Sequence, residues 1–207
     1  MKTCSDILDM LYWATNAMNN KKSMTEKDRF TVFSMLVLAL CAGWIWFSRI
    51  QPGNTPLRNI PAPQKGFLAP GFTLESNTGE NFSLADQKGK VLLINFWTSW
   101  CPPCRAEMPA IQRVYSEYQD DGLVVFAINA TDQDELASVK SFIADKQLTF
   151  PILLDKDGET SRLYNLHSLP TSFFVDANGI IQEVVIGGPM AEALLRSRIE
   201  RILEGSQ

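Results

Sequence analysis

The chain has 207 residues, room for one sizeable domain and additional segments. It is 45% apolar and 20% charged, ordinary values for a foldable protein. The formal net charge of −4 provides no basic field for nucleic acid, so a nucleic-acid partner is not expected. There is no internal repeat and no low-complexity tract.

In chain order, residues 1–29 read as a short cytoplasmic segment. Within it SDILDMLYWATNAM sets Ile7, Leu8, Leu11, Ala14 and Met18 at near-helical spacing behind a candidate Ser5 cap. This pattern fits a helix resting on a membrane face or a partner, and equally a frayed terminal helix without a role.

FTVFSMLVLALCAGWIWFS, Phe30–Ser48, follows: 19 residues without a charge. As a helix it would reach roughly 28 Å, close to a bilayer core of about 30 Å. Trp44 and Trp46 lie near its far end, where interfacial aromatics belong. A buried core helix this uniformly apolar would need a large domain around it. A cleaved signal peptide would start earlier and be shorter. Leu40 precedes Cys41, where a lipoprotein signal wants a small residue. The expectation is therefore an uncleaved anchor over 30–49. Lys21, Lys22, Lys27 and Arg29 precede it and only Arg49 follows closely. The positive-inside rule then places the N-terminus in the cytoplasm and all later residues outside, where disulfides persist.

Residues 50–66 carry Pro52, Pro56, Pro61 and Pro63 and read as a stiff tether. From 67 to 207 the pattern is that of a globular domain. VLLINFW (91–97) and LVVFAIN (123–129) are continuous apolar runs, the mark of buried strands. Pro102 to about Gln119 predicts a helix with Ala106, Ala110, Ile111, Val114 and Tyr118 on its apolar face. Asp134 is expected to cap a helix ending near Lys146. FPILLD predicts a short strand and Gly158–Leu166 a further helix. TSFFVD and IIQEVVIG flank Ala-Asn-Gly at 177–179, a hairpin signal. Gly188 and Pro189 then open a last helix to about Leu203. Phe72–Leu74 and Phe82–Leu84 predict an N-terminal hairpin around Asn77-Thr78-Gly79. Strands alternating with helices and closed by a hairpin imply an α/β sheet with helices on both faces.

Cys101 and Cys104 fall between a buried strand and a helix. A helix N-terminus presents free N–H groups and the positive end of the dipole, which stabilise a thiolate. Cys101, at the start, is expected to be the exposed nucleophile. Cys104, one turn in, is placed to resolve a mixed disulfide on Cys101. Pro102 and Pro103 suit the first turn, where their missing donors cost nothing. A closed zinc site would need two more ligands, and the one histidine is His167. A purely structural disulfide over so short a loop gains little.

WCPPC after a buried strand, Pro109, and Leu169-Pro170-Thr171 opening a later strand resemble the thioredoxin superfamily, which is related to the AhpC/TSA proteins. APGFTLES and NTGENFSLAD ahead of the core, with the extra helix near 134–146, resemble its TlpA/ResA/CcmG branch. The resemblance covers roughly residues 66–205. It implies an α/β thioredoxin-like fold with an N-terminal β-hairpin extension and an inserted helix, here preceded by one transmembrane helix. By the same resemblance Pro170 is a cis proline packed on the cysteine pair, leaving the Leu169 main chain to a substrate strand. Trp100 and Pro102 join these as substrate-contacting residues. Glu107 matches an acidic residue three positions after the second cysteine, on the face of Cys104, and implies proton exchange with it. A solvated first-turn glutamate is the plainer alternative. Asn95 stands where thioredoxin has a buried aspartate, and Trp97 with Trp100 resembles an aromatic wall around the cysteines.

The activity implied is a membrane-anchored thiol–disulfide oxidoreductase without cofactor or metal. It would reduce exported proteins bearing cysteine pairs, with a CcdA- or DsbD-type membrane thiol transporter as electron donor. Apocytochrome c and spore-envelope proteins are the substrates the branch suggests. The rivals are a disulfide-donating oxidase, a copper- or haem-delivery module on the same fold, and a peroxidase. Thr98-x-x-Cys101 faintly echoes the peroxidase pattern, but the adjacent Cys104 argues against it.

Overall fold

A computed structural model describes residues 26–49 and 60–205, with the side chains of the first helix described from 31 to 45. The chain divides into two units, within Met1–Gly53 and Asn54–Gln207. The first is described by a single helix, α1 (Glu26–Arg49). Its apolar side chains, including Phe33, Leu36, Leu40 and Trp44, are exposed. Among the described residues no helix is long and apolar enough to cross a membrane. The described side chains of α1 run only from 31 to 45, against about 20 residues for a span. The segment 1–25, most of the expected tether and the flanking Lys21 and Lys22 lie outside the described residues.

The second unit contains β1 (Thr73–Glu75), β2 (Asn81–Ser83), β3 (Val91–Trp97), α2 (Pro102–Tyr118), β4 (Leu123–Asn129), α3 (Leu136–Lys146), β5 (Ile152–Leu154), α4 (Glu159–Leu163), β6 (Thr171–Val175), β7 (Ile181–Ile186) and α5 (Glu192–Glu204). The main sheet has the order β5-β4-β3-β6-β7. β3 lies parallel to β4 and antiparallel to β6, and β4 lies parallel to β5.

Every residue of β3 is buried, because the strand is central and covered on both faces. Its side chains alternate. Leu93 and Trp97 join one core layer with Met108 and Ile111 of α2, Phe142 of α3 and Ile199 of α5. Leu92, Ile94 and Phe96 join the other, with Phe126, Tyr164 and Phe173. Long helices cover only the first face. The second is covered by the segment around Ala69 and Phe72, and by Tyr164, whose hydroxyl donates to the Pro70 carbonyl at 2.8 Å. The β1–β2 hairpin forms one residue inward of the predicted strands and reaches the sheet through Ser76 paired with Leu153.

Several local expectations change. The tether was expected to run to residue 66, yet from Pro61 the chain is already bonded to the domain. Ala62 N–H donates to the Leu68 carbonyl and Gly66 N–H to that of Ile181. Asp134 does not cap α3, which starts two residues later behind Glu135. Gly188 and Pro189 do not open α5. They form a cis peptide, and the helix begins at Glu192. Ala106 is exposed, and Glu107 takes its place among the buried residues of α2. The 177–179 hairpin turn forms as expected: Gly179 has φ of 80°, and its N–H donates to the Asp176 carbonyl.

Candidate active site

α2 begins immediately after Cys101, with prolines in its first turn. Cys101 is the cap residue, and the Cys104 N–H donates to its Sγ at 3.3 Å. The two sulfurs are joined in a disulfide. The sequence placed Cys101 in the open. It is 4% exposed, and Cys104 is 0% exposed. Both belong to the helix-side core cluster, with Trp97 and Met108 in it and Leu169 packed against it.

What remains of access is an open cleft of about 380 Å³ lined by Trp100, Cys101, Pro102, His167 and Leu169, among others. Three of the four predicted substrate-contacting residues thus line the same cleft as Cys101. The fourth, Pro170, is buried, and its peptide bond to Leu169 is cis. Its carbonyl accepts from Gly187 N–H at 2.7 Å. No described residue bonds the Leu169 main chain. Trp100 is 57% exposed and its indole N–H donates to the Gln133 carbonyl. Trp97 packs in the same core cluster as Cys101 and Cys104. It is fully buried, packed 5.4 Å from Phe142, because odd-numbered β3 residues point into the helix-covered core.

Alternation along β3 also sends Asn95 toward α2. Its Nδ2 donates to Glu107 Oε1 at 2.8 Å and to Ser172 Oγ at 2.9 Å. The other carboxylate oxygen of Glu107 accepts from Met190 N–H at 3.2 Å. Glu107 is only 1% exposed, so it is not the solvated first-turn glutamate of the plainer alternative. Burial pushes its carboxyl above the ordinary carboxylate range, opposed by the Met190 and Asn95 hydrogen bonds. Asn95 Oδ1 is buried and unpartnered. A half-turn of that amide would offer Oδ1 to a protonated Glu107, so the same contact serves both protonation states. Among the described residues no group of three or more His, Cys, Asp and Glu is placed to hold a metal.

The family model for AhpC/TSA matches residues 66–184, more than half of the chain. The chain belongs to the AhpC/TSA family. It is 36% identical over 188 residues to the thiol-disulfide oxidoreductase ResA of Oceanobacillus iheyensis, covering 88% of this chain and 91% of that one. It is 45% identical over 125 residues to the thioredoxin-like protein YneN of Bacillus subtilis, covering 60% and 72%. Among solved structures, StoA of Bacillus subtilis is similar with a TM-score of 0.55 and 35% identity, over 62% of this chain and 96% of that one. A thiol:disulfide interchange protein of the thioredoxin family from Chlorobium tepidum gives 0.62 and 28%, over 70% and 98%. This AhpC/TSA chain is a thiol–disulfide oxidoreductase of thioredoxin-like fold, as the cysteine motif and the loop before β6 imply.

Gly188 was missed as a site residue of this oxidoreductase. A Cβ there would lie 2.7 Å from Pro170 Cγ and 2.8 Å from Glu107 Oε2. Only a hydrogen fits between the proline and the carboxylate. Gly188→Ala is expected to cost about 1–3 kcal/mol of stability through overpacking, read from the denaturant midpoint. It should also slow exchange, because Glu107 or Pro170 must move.

Proposed function

We propose that this enzyme is a membrane-anchored reductase that acts outside the cytoplasm on disulfides of exported proteins. The observation that carries the direction is the buried Glu107, on the helical face of Cys104. A carboxylate there disfavours a thiolate at Cys104. Strongly oxidising dithiols of the DsbA kind owe their potential to a stabilised reduced form, and this site withholds part of that stabilisation.

In the forward reaction Cys101 thiolate attacks a substrate disulfide, forming a Cys101–substrate disulfide and expelling one substrate thiolate. Cys104 gives its proton to Glu107 and attacks Cys101 Sγ. The second substrate thiolate leaves, and the Cys101–Cys104 disulfide remains. The substrate segment aligns along the unbonded Leu169 main chain, beside Trp100 and Pro102. The enzyme must then be re-reduced, a role suited to a CcdA- or DsbD-type transporter. Apocytochrome c is the substrate the TlpA/ResA/CcmG resemblance favours, with spore-envelope proteins second. The anchor reading is supported by the uncharged run Phe30–Ser48 and the preceding Lys and Arg residues.

The test is the reduction potential of the full chain in detergent, equilibrated in thiol redox buffers. A value near or below about −270 mV, the thioredoxin level, is expected. A value near about −120 mV, the DsbA level, would replace the reductase with an oxidase. For the anchor, alkaline washing should leave the chain in the membrane. After reduction, a membrane-impermeant maleimide should label Cys101 and spare Cys4 in intact cells. Release by alkali, or labelling of Cys4 alone, would remove that part of the proposal.

A further inference from the structure

Asp134 reaches back 35 residues to Ser99, in the loop just before the nucleophile. Its carboxylate accepts from both the main-chain N–H and the hydroxyl of Ser99, each at 2.5 Å. The same two oxygens accept from Asn129 Nδ2 at 2.8 Å and from Glu135 N–H at 2.9 Å. One carboxylate therefore ties the end of β4, the approach to α3 and the active-site loop together. The Ser99 carbonyl is held from the other side by Arg105 Nη1 at 2.9 Å, from within α2. Trp100 is fastened to the same 131–135 segment through Gln133.

We propose that Asp134 is the positioning residue of the nucleophile, holding the Ser99–Cys101 backbone so that Cys101 Sγ stays seated on the N-terminus of α2. The seat is a single weak contact, Cys104 N–H to Sγ at 3.3 Å, and the Cys101 backbone is extended, with φ −80° and ψ 111°. From α2 the Arg105 N–H holds the Cys101 carbonyl at 3.0 Å, which fixes the helix side of the residue and leaves its N-terminal side to the loop. Cys101 N–H has only a long 3.4 Å bond to the Thr98 carbonyl. On that side the fixed points are Ser99 and Trp100, and both are bonded to the 131–135 segment. The inference rests on the exchange chemistry alone and is independent of whether the enzyme reduces or oxidises.

Charge and positioning predict opposite signs. A carboxylate acting only through its charge would disfavour a nearby thiolate, so removing it would make Cys101 titrate lower. A carboxylate that seats the sulfur on the helix terminus makes Cys101 titrate higher when removed. The other charged or titratable groups around the loop are Arg105 and Lys146 on one side of Trp100, Asp132 and Glu135 on the other, His167 across the cleft and Glu107 behind Cys104. All are unchanged in the variants below.

The experiment is peptide-resolved alkylation of Cys101 against pH, by mass spectrometry, on the reduced full chain in detergent. Asp134→Ala should raise the half-titration point of Cys101 by about one pH unit and lower its alkylation rate at neutral pH about tenfold. Ser99→Ala, which keeps the main-chain bond, should shift it in the same direction by less. Asp176→Ala serves as the stability control. That carboxylate bonds Asn178 N–H, Ile180 N–H and Gln182 at the far end of β6, and its loss should leave the Cys101 profile unchanged. A downward or absent shift in folded Asp134→Ala overturns the proposal, as does an equal shift in Asp176→Ala. Should Asp134→Ala not fold, an unshifted Ser99→Ala overturns it.

Discussion

Cys101→Ser is expected to bring disulfide exchange down to the uncatalysed background, while Cys104→Ser should complete the first half of the reaction and stop. The two cysteines look alike in sequence, but their places differ. Cys101 lines the open cleft and caps the helix terminus; Cys104 is fully buried one turn in. A substrate disulfide can therefore meet only Cys101. With Cys104 absent, the Cys101–substrate disulfide has no internal thiol to resolve it and should accumulate as a covalent adduct visible by mass. Cys101→Ser should give no adduct. An adduct on Cys104 in the Cys101→Ser protein would reverse the assignment. Neither variant should unfold, since a disulfide closing so short a loop contributes about 2 kcal/mol or less.

Glu107→Gln should have the second largest effect. In the proposed reaction Glu107 takes the Cys104 proton and must be ionised, and its carboxyl titrates above the ordinary range because it is buried. Resolution of the mixed disulfide should therefore quicken as pH rises through that raised value. In Glu107→Gln the limb should vanish and the rate fall about a hundredfold, the low end of acid–base assistance. Single-turnover kinetics against pH measure this; an unchanged acid limb would assign it to another group. Stability should move the other way. A raised folded-state value means the protonated protein is the more stable one. That advantage is complete below the unfolded-state value near 4.5 and is lost as pH rises through the folded-state value. Glu107→Gln should thus be more stable than the parent near neutrality and lose that margin in acid, read by denaturant unfolding at each pH. The uncharged side chain fits, because Asn95 Oδ1 is free to accept from the new amide.

Local signals along the chain reach only part of this site. Continuous apolar runs placed β3 and β4, because a central strand must be apolar on both faces. The resemblance to thioredoxin set Asn95 at the position of a buried aspartate. Prolines in the first turn and a cysteine just before them located the thiol at a helix start. Local pattern misplaced Asp134 and Gly188 and left the burial of Glu107 open. Asp134 has the chemistry of a helix cap, yet its carboxylate serves a loop 35 residues away. Gly188 next to Pro189 looks like a helix entry, yet it is a gap between Pro170 and Glu107.

By itself, the sequence determined the thioredoxin-like order of elements and the dithiol at the start of α2. Those depend on periodicity, turn residues and capping, which act within a few residues. Only the tertiary structure decided which groups surround the sulfurs. The β6–β7 hairpin returns Gly188 and Met190 to the back of α2, and the end of β4 brings Asp134 against Ser99. Burying a carboxyl and matching its hydrogen bonds requires partners from several distant strands and loops. No spacing along the chain encodes that, because it exists only once the sheet has closed.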